Sequence, residues 1–313
     1  MLPDHLRPML AKLSHPFDSA EFHYEIKWDG YRCLAFLDSA TRLQSRNLKE
    51  LSGFFPELSR LHLQCSRQGC LLDGEIVTFR NGLPSFQRLQ KRAQLRSMEQ
   101  IQAAARSAPV VYIAFDLLYL DGEPVYHTPW KERRSLLSDL VRPTESFILS
   151  EAIPNRGVDF FQAVATKGLE GVMAKRVDSP YLPGKRSDFW LKFKSRHRGY
   201  FLICGFLLQP KDCKLRSLIL GAFQDEELQL RGTVGSGLPP SELDTIKQLL
   251  EKLATEICPF TGTAIKKKDT IWIEPRLVCE VEYLELTDEG YLRHPSFKNF
   301  RPDLQAGACR LED

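Results

Sequence analysis

No apolar run in this 313-residue chain approaches the ~18 residues needed to cross a bilayer. The N-terminus carries no charged-then-apolar signal segment, because Asp4, His5 and Arg7 interrupt it. The eight cysteines include no C-x-x-C pair and no Cys/His ligand spacing, and Cys65 and Cys70 alone make no zinc site. They read as reduced, mostly buried thiols of a cytoplasmic protein. Internal repeats and low-complexity stretches are also missing. These absences argue against membrane-spanning, secreted disulfide-stapled, zinc-stapled and solenoid classes. Excess charge is small, with 43 Lys+Arg against 40 Asp+Glu and a net charge of +3. That balance permits a nucleic-acid partner without requiring one.

The length suits two domains, and 43% hydrophobic residues is globular. Charge is unevenly placed: six Lys/Arg and one Asp lie between Lys185 and Arg198. Short apolar runs bounded by turn residues predict strands at Cys33–Leu37, Leu71–Phe79 (interrupted by Gly74), Val110–Leu120, Gly171–Arg176 and Trp190–Lys194. Helical patterns fall at Leu48–Leu63, Phe86–Ala105, Trp130–Leu140 and Gly157–Lys167. After about Arg198 the pattern changes to strands at Phe201–Leu208, Leu218–Phe223, Leu228–Val234 and Val278–Leu286, with one helix at Pro240–Ala254. The expected fold class is α+β in two domains. Residues 1–197 form mixed sheets and helices around a nucleotide pocket, and residues 198–313 form a small β-barrel, an OB-fold first among the options.

Lys27, in Glu25-Ile26-Lys27-Trp28-Asp29-Gly30, is the most informative residue. With a reference pKa near 10.4, about one lysine in a thousand or fewer is neutral at pH 7. A site that attacks phosphorus with lysine must desolvate it or set cations beside it. Lys175, Lys192 and Lys194 supply such cations, so their field is expected to lower the pKa of Lys27. Alone, Lys27 reads first as an exposed lysine at the mouth of a strand-turn. Further patterns follow in order: Ser45-Arg46-Asn47, Leu72-Asp73-Gly74-Glu75, Phe115-Asp116-Leu117-Leu118-Tyr119, Glu170-Gly171-Val172-Met173-Ala174-Lys175 and Trp190-Leu191-Lys192-Phe193-Lys194. In the last, alternation puts both lysines on one strand face with Leu191 and Phe193 on the other.

This ordered series resembles the ATP-dependent DNA ligases of the covalent nucleotidyltransferase superfamily, above all the ligase domain of bacterial ligase D, the end-joining ligase. The resemblance runs from Pro8-Met9-Leu10-Ala11 to Arg301-Pro302-Asp303. It implies an adenylation domain followed by an OB-fold. It also implies catalytic roles for Lys27, Lys192, Lys194 and Asp29, with AMP carried on Lys27. Asp29 reads equally as a side chain stabilising the Gly30 turn. Nucleotide contacts are implied for Glu25 (adenine amino group), Ile26, Arg32 (ribose), Arg46 (phosphate), Phe115 (adenine stacking), Lys175 (phosphate) and Arg301. Glu75 and Glu170 are implied as Mg²⁺-side (or Mn²⁺-side) carboxylates, with Glu75 alternatively on a ribose hydroxyl. Gly232-Thr233-Val234-Gly235-Ser236-Gly237 reads as a tight turn, because no suitably spaced helix follows to make a phosphate loop. The family's terminal Arg-x-Asp-Lys ends here in Leu304, which puts self-adenylylation in doubt.

The activity implied is sealing of nicked duplex DNA with ATP, in repair or end joining, by a monomer associated with the nucleoid. A short hinge at 195–199 is expected to let the second domain approach and leave the nucleotide. The chain starts about twenty residues before Glu25-Ile26-Lys27, without the large N-terminal DNA-binding region of bigger ligases. DNA affinity is therefore expected from basic surfaces and should weaken with salt. Ku or a primase-polymerase is an expected partner by family analogy. RNA ligases and mRNA-capping guanylyltransferases use the same lysine chemistry and are the competing enzymatic readings. A non-catalytic nucleic-acid-binding module is the third.

Overall fold

The computed structural model describes residues 1–195, 197–210, 212–261, 270–287 and 289–310. The chain divides into two compact units, Met1–Ser195 and Arg196–Asp313.

In the first unit the strands are β1 (Leu10–Leu13), β2 (Phe22–Ile26), β3 (Tyr31–Leu37), β4 (Thr41–Ser45), β5 (Cys70–Arg80), β6 (Leu83–Pro84), β7 (Val110–Leu120), β8 (Glu123–Pro124), β9 (Phe147–Leu149), β10 (Ala152–Pro154), β11 (Gly171–Arg176) and β12 (Arg186–Lys194). The helices are α1 (Phe86–Ala93), α2 (Met98–Ser107), α3 (Trp130–Leu140) and α4 (Gly157–Thr166). One sheet has the order β1-β12-β11-β2-β10, and the other runs β4-β3-β5-β7-β8 with β6 on β5 and β9 on β7.

Alternation decides which residues meet. On β3, Cys33, Ala35 and Leu37 enter a core with Leu89 and Leu137, while Leu34 and Phe36 enter a second core with Phe115, Tyr181 and Trp190. On the other sheet, Tyr24, Val172, Ala174 and Phe193 pack with Val164 of α4, which leaves the opposite face for the site.

Three sequence expectations change. Leu48–Leu63 is three short 3-10 turns (Ser52–Phe54, Pro56–Leu58, Leu61–Gln64), since Gly53 and Pro56 interrupt a regular helix. Phe86–Ala105 breaks into α1 and α2. In a single straight helix Leu89 and Ile101 would point about 120° apart, yet both are buried. Gly74 does not end its strand: β5 runs through it, and the interruption is confined to a register shift against β7 between Asp73 and Gly74. A Cβ there would lie 2.5 Å from the ring of Tyr112, whose hydroxyl donates to Cys33 O (3.1 Å) and Leu72 O (3.2 Å). The glycine therefore marks a close approach inside a strand.

Gly171 carries a stronger constraint. Its φ is +147°, and a Cβ would lie 1.9 Å from Phe193 O. Gly171→Ala should lower unfolding stability by about 2–4 kcal/mol through clash and backbone strain, measured by chemical denaturation. Unchanged stability would refute this packing of β11 on β12.

The second unit has β13 (His197–Leu208), β14 (Leu215–Gln224), β15 (Glu227–Val234), β16 (Ala254–Thr255), β17 (Thr270–Tyr283) and β18 (Ser296–Phe300), with α5 (Leu243–Glu251). The order is β15-β14-β13-β17-β16, with β18 also on β17, and every pairing is antiparallel. Bulges bend β13 at Ile203/Gly205 and Leu207/Leu208. This is a curled antiparallel sheet consistent with an OB-fold. Gly232–Val234 is the end of β15, so only the later part of the glycine-rich segment lies outside a strand. Among the described residues, no helix is long and apolar enough to cross a membrane.

Candidate active site

The free face of the first sheet is set out in rows by strand register. Lys27, just past β2, donates its backbone N–H to Gly171 O at 2.9 Å, and Gly171 pairs with Lys194. Glu25 pairs with Met173, which pairs with Lys192. His23 pairs with Lys175, which pairs with Trp190. From the second sheet, Arg32 and Glu75 are register partners across β3 and β5. A cavity of about 780 Å³ is lined from both sheets, and Glu25, Ile26, Lys27, Arg32, Arg46, Glu75, Phe115, Lys175 and Lys192 all line it. Asp29 is not among the lining residues.

Lys27 Nζ is bonded to Glu170 Oε2. Lys194 Nζ lies 3.2 Å from the other oxygen of the same carboxylate. Glu170 and Lys194 are thus tied to Lys27 without lining the cavity. The sequence led us to expect cations around this amine, but the group bonded to it is a carboxylate. Burial pushes Glu170 up, yet Lys27 and Lys194 together hold it below its ordinary value. Burial, and then the fields of Lys194, Lys27 and Arg186, lower the basicity of Lys192; burial also lowers that of Lys175. Lys192 has no carboxylate partner within salt-bridge distance among the described residues, so it is a cation presented to the cavity.

Lys175 is not placed as a phosphate contact. It lies four residues along β11 from Gly171, roughly 13 Å away at strand rise. It is buried, and its ammonium donates to Glu25 Oε1 and Oε2 (both 2.9 Å) and Phe115 O (3.0 Å). Phe115 is also largely buried, edge-to-face with Trp190 at 6.1 Å between ring centroids. Ile26 turns its side chain into the α4-side core, so its share of the cavity wall is mainly backbone. Arg46 stands exposed in the turn after β4.

Arg32 is fixed by a bidentate pair with Asp73, Nε–Oδ1 and Nη2–Oδ2 each 2.5 Å. Asp73 also accepts from Tyr181 Oη at 2.6 Å. A second buried pair joins Arg133 to Asp116, at 2.7 and 2.9 Å. Sequence reasoning missed both. Asp73 and Asp116 stood inside quoted patterns, but no local signal links Asp73 to Tyr181, 108 residues away.

Glu75 has its pKa raised to about 8. Burial is the main cause; Arg32 and Lys27 oppose it, and Glu170 and Asp73 add to it. A raised carboxyl keeps its proton in the folded chain while the unfolded chain releases it near 4.5. Its stabilising contribution is therefore full below pH 4.5 and is lost as pH rises towards 8. Glu75→Gln removes that titration. The stability of the variant relative to wild type should rise steadily between pH 4.5 and 8 in denaturation curves. A flat difference would contradict it.

Among the described residues, no three His, Cys, Asp or Glu side chains gather as a metal cage. Glu75 and Glu170 do place two oxygen donors by Lys27, electrostatically coupled to each other. That set fits a hard divalent ion only if phosphate and water oxygens complete the shell, as Mg²⁺ commonly arranges.

Arg301 belongs to the second unit. It stacks on Tyr200 (4.7 Å to the ring centroid) and pairs with Asp303 at 2.9 and 2.7 Å. Leu304 packs against the core formed by Leu202, Cys204, Ile219 and Phe260, which accounts for an apolar residue at this position.

Two sheets enclosing an amine, an aromatic wall and a row of lysines define a nucleotide-binding class of site. The family model for the ATP dependent DNA ligase domain matches residues 5–194, and that for the ATP dependent DNA ligase C terminal region matches residues 211–304. The chain belongs to the ATP-dependent DNA ligase family. It is 36% identical over 308 residues to the multifunctional non-homologous end joining DNA repair protein LigD of Mycobacterium tuberculosis, covering 96% of this chain and 39% of that protein. It is 31% identical over 329 residues to DNA ligase C1 of Mycolicibacterium smegmatis, covering 98% of this chain and 93% of that one. A solved structure of mycobacterial DNA ligase D complexed with ATP and MES is 34% identical, with a TM-score of 0.53 over 98% of both chains.

Proposed function

We propose that this chain seals nicks in duplex DNA with ATP through AMP carried on Lys27. The observation that supports this best is a single cavity in which Lys27 shares its walls with Phe115, Trp190 and the unpaired cation Lys192. In the first transfer, the Lys27 amine bonds to the α-phosphorus as the bond to the pyrophosphate oxygen breaks. In the second, a nick 5′-phosphate oxygen takes the AMP and the Lys27–phosphorus bond breaks. In the third, the 3′-hydroxyl attacks that phosphate, the phosphodiester forms and AMP leaves. Each step builds charge on non-bridging oxygens, which positioned cations stabilise.

Phe115 and Trp190 bound the base, Arg32 the ribose, and Lys192 and Arg46 the phosphates, while Lys194 acts from behind the wall by holding Glu170 beside Lys27. Mg²⁺ held by Glu75 and Glu170 would supply further neutralisation of phosphate charge. We assign Arg301 to the leaving pyrophosphate and Asp29 to the turn that presents Lys27. The named relative LigD is a non-homologous end joining DNA repair protein; we assign this chain to the same kind of repair, with Ku or a primase-polymerase as partner.

The test is incubation with α-labelled ATP and Mg²⁺, followed by nicked DNA and nicked RNA in parallel. We expect an acid-labile labelled protein band and sealing of the DNA nick. Label from GTP alone, or sealing of RNA alone, would replace this reading with a capping or RNA-ligase one.

A further inference from the structure

The two arginine–aspartate forks of the first unit are not equivalent. Arg133 is used up by the protein: besides Asp116, its Nη1 donates to Thr128 O (2.5 Å) and Ser179 O (3.0 Å). Arg32 donates Nε–H to Asp73 Oδ1, and Nη2 donates to Asp73 Oδ2 and to Met9 O (3.3 Å). Its Nη1 has no acceptor among the described residues, and Arg32 lines the cavity. The protons of that nitrogen are left for a ligand there. A third group fixes the fork. Tyr181 is buried. Its hydroxyl oxygen accepts from Met9 N–H at 2.9 Å, so its own proton goes to Asp73 Oδ2 at 2.6 Å. The ring packs edge-to-face on Trp190, 5.4 Å between centroids, and the Tyr181 backbone N–H donates to Tyr126 O at 2.8 Å. Met9 is held from the same side, where Leu182 N–H donates to its Sδ at 3.2 Å.

We infer that Tyr181 is a positioning residue for the nucleotide sugar: its hydroxyl pins the Asp73 carboxylate, which aims the Arg32 fork so that the remaining donors meet a sugar hydroxyl. This rests on the ribose assignment of Arg32 made above and adds the residue that sets it. A carboxylate alone can turn about its own bond and carry a bound guanidinium with it. A donor fixed on Oδ2 from a packed ring selects one plane for the pair, and side chains locked in this way are what hold a binding group in place. Without the Tyr181 hydroxyl, the bond of Arg32 Nη2 to Met9 O is the other restraint on the fork, and Met9 N–H loses its acceptor too. Tyr181 acts through Asp73 and Arg32 and not on the reacting phosphorus, so affinity for the nucleotide should change more than the maximal rate of transfer.

The experiment measures rates of covalent labelling by α-labelled ATP, 2′-deoxy-ATP and 3′-deoxy-ATP in wild type, Tyr181→Phe, Arg32→Lys, the double variant and Asp73→Asn. Wild type should favour ATP over the analogue that lacks the hydroxyl met by Arg32. Tyr181→Phe should narrow that preference about tenfold, the scale of one hydrogen bond from a charged group. It should do so by raising the ATP concentration for half-maximal labelling, with the maximal rate nearly unchanged and the analogue's affinity kept. Arg32→Lys should narrow the preference at least as far, and adding Tyr181→Phe to it should narrow it no further, since the fork is already gone. Asp73→Asn breaks the same chain at nearly constant volume and should also narrow the preference, which keeps the test usable if Tyr181→Phe does not fold. A loss spread equally over the three nucleotides, a change confined to the maximal rate, further narrowing in the double variant, or a wild type that uses all three alike would overturn the inference while leaving adenylyl transfer standing. A wild type that takes no label from any of them would remove both.

Discussion

Lys27→Ala leaves no label on the protein after incubation with ATP and Mg²⁺, a loss of about 10⁶-fold if it matches removal of other covalent nucleophiles. The expectation follows from the cavity lining. Of the other lysines lining the cavity, Lys192 sits in the neighbouring row across β11, Lys175 is spent on Glu25, and Lys49 stands past the turn after β4, none of them at the end of β2. The remaining lysine of that face, Lys194, is held on Glu170. No second amine is therefore placed to substitute. The variant must also be shown to be folded. Given a nick whose 5′-phosphate already carries AMP, it needs only the third transfer, which forms no bond to Lys27. It should seal that substrate while failing on an ordinary nick with ATP. Label retained on the variant would move the nucleophile elsewhere. Loss of sealing on both substrates, with normal folding, would mean that Lys27 serves the third transfer as well.

The second large effect is at Lys192. Lys192→Met should slow label transfer by about 10²–10³-fold, the usual cost of removing one group aimed at developing phosphate or oxyanion charge. Lys194→Met should cost less, because that ammonium is already shared with Glu170. The two lysines are two residues apart and point the same way, so net charge and local hydrophobicity change alike in both variants. A pH series sharpens the comparison. Burial and neighbouring cations lower the pKa of Lys192, so its charge is lost earlier on the alkaline side than an exposed lysine's would be. ATP affinity should therefore fall as pH rises through that lowered value. Lys192→Arg, which keeps its charge, should extend the plateau to higher pH. Equal losses at 192 and 194, or an alkaline limb unmoved by arginine, would show that the phosphate is held elsewhere.

Much of this site was legible along the chain because strand alternation is local. The pattern Trp190-Leu191-Lys192-Phe193-Lys194 places both lysines on one face and Leu191 and Phe193 on the other before any tertiary contact is known, and the sheet bears this out, with Leu191 and Phe193 in the α4-side core. Trp130–Leu140 also coincides with its helix. One misreading had a distant partner behind it and another a local breaker. Gly74 looked like an interruption because the ring of Tyr112 that crosses it lies 38 residues on. The stretch from Leu48 to Leu63 is rich in leucine, yet Gly53 and Pro56 prevent a regular helix and leave 3-10 turns.

The charges show the division most clearly. The residue types along the strands prescribe an amine, carboxylates and further cations on the walls of one pocket, since side-chain direction follows from a two-residue repeat. Which carboxylate rests on which ammonium does not follow from any such repeat. Glu170 reaches Lys27 across 143 residues, and Glu25 reaches Lys175 across 150. Sheet order and burial assign those partners, and with them whether a lysine faces phosphate or holds a neighbouring acid in its charged form.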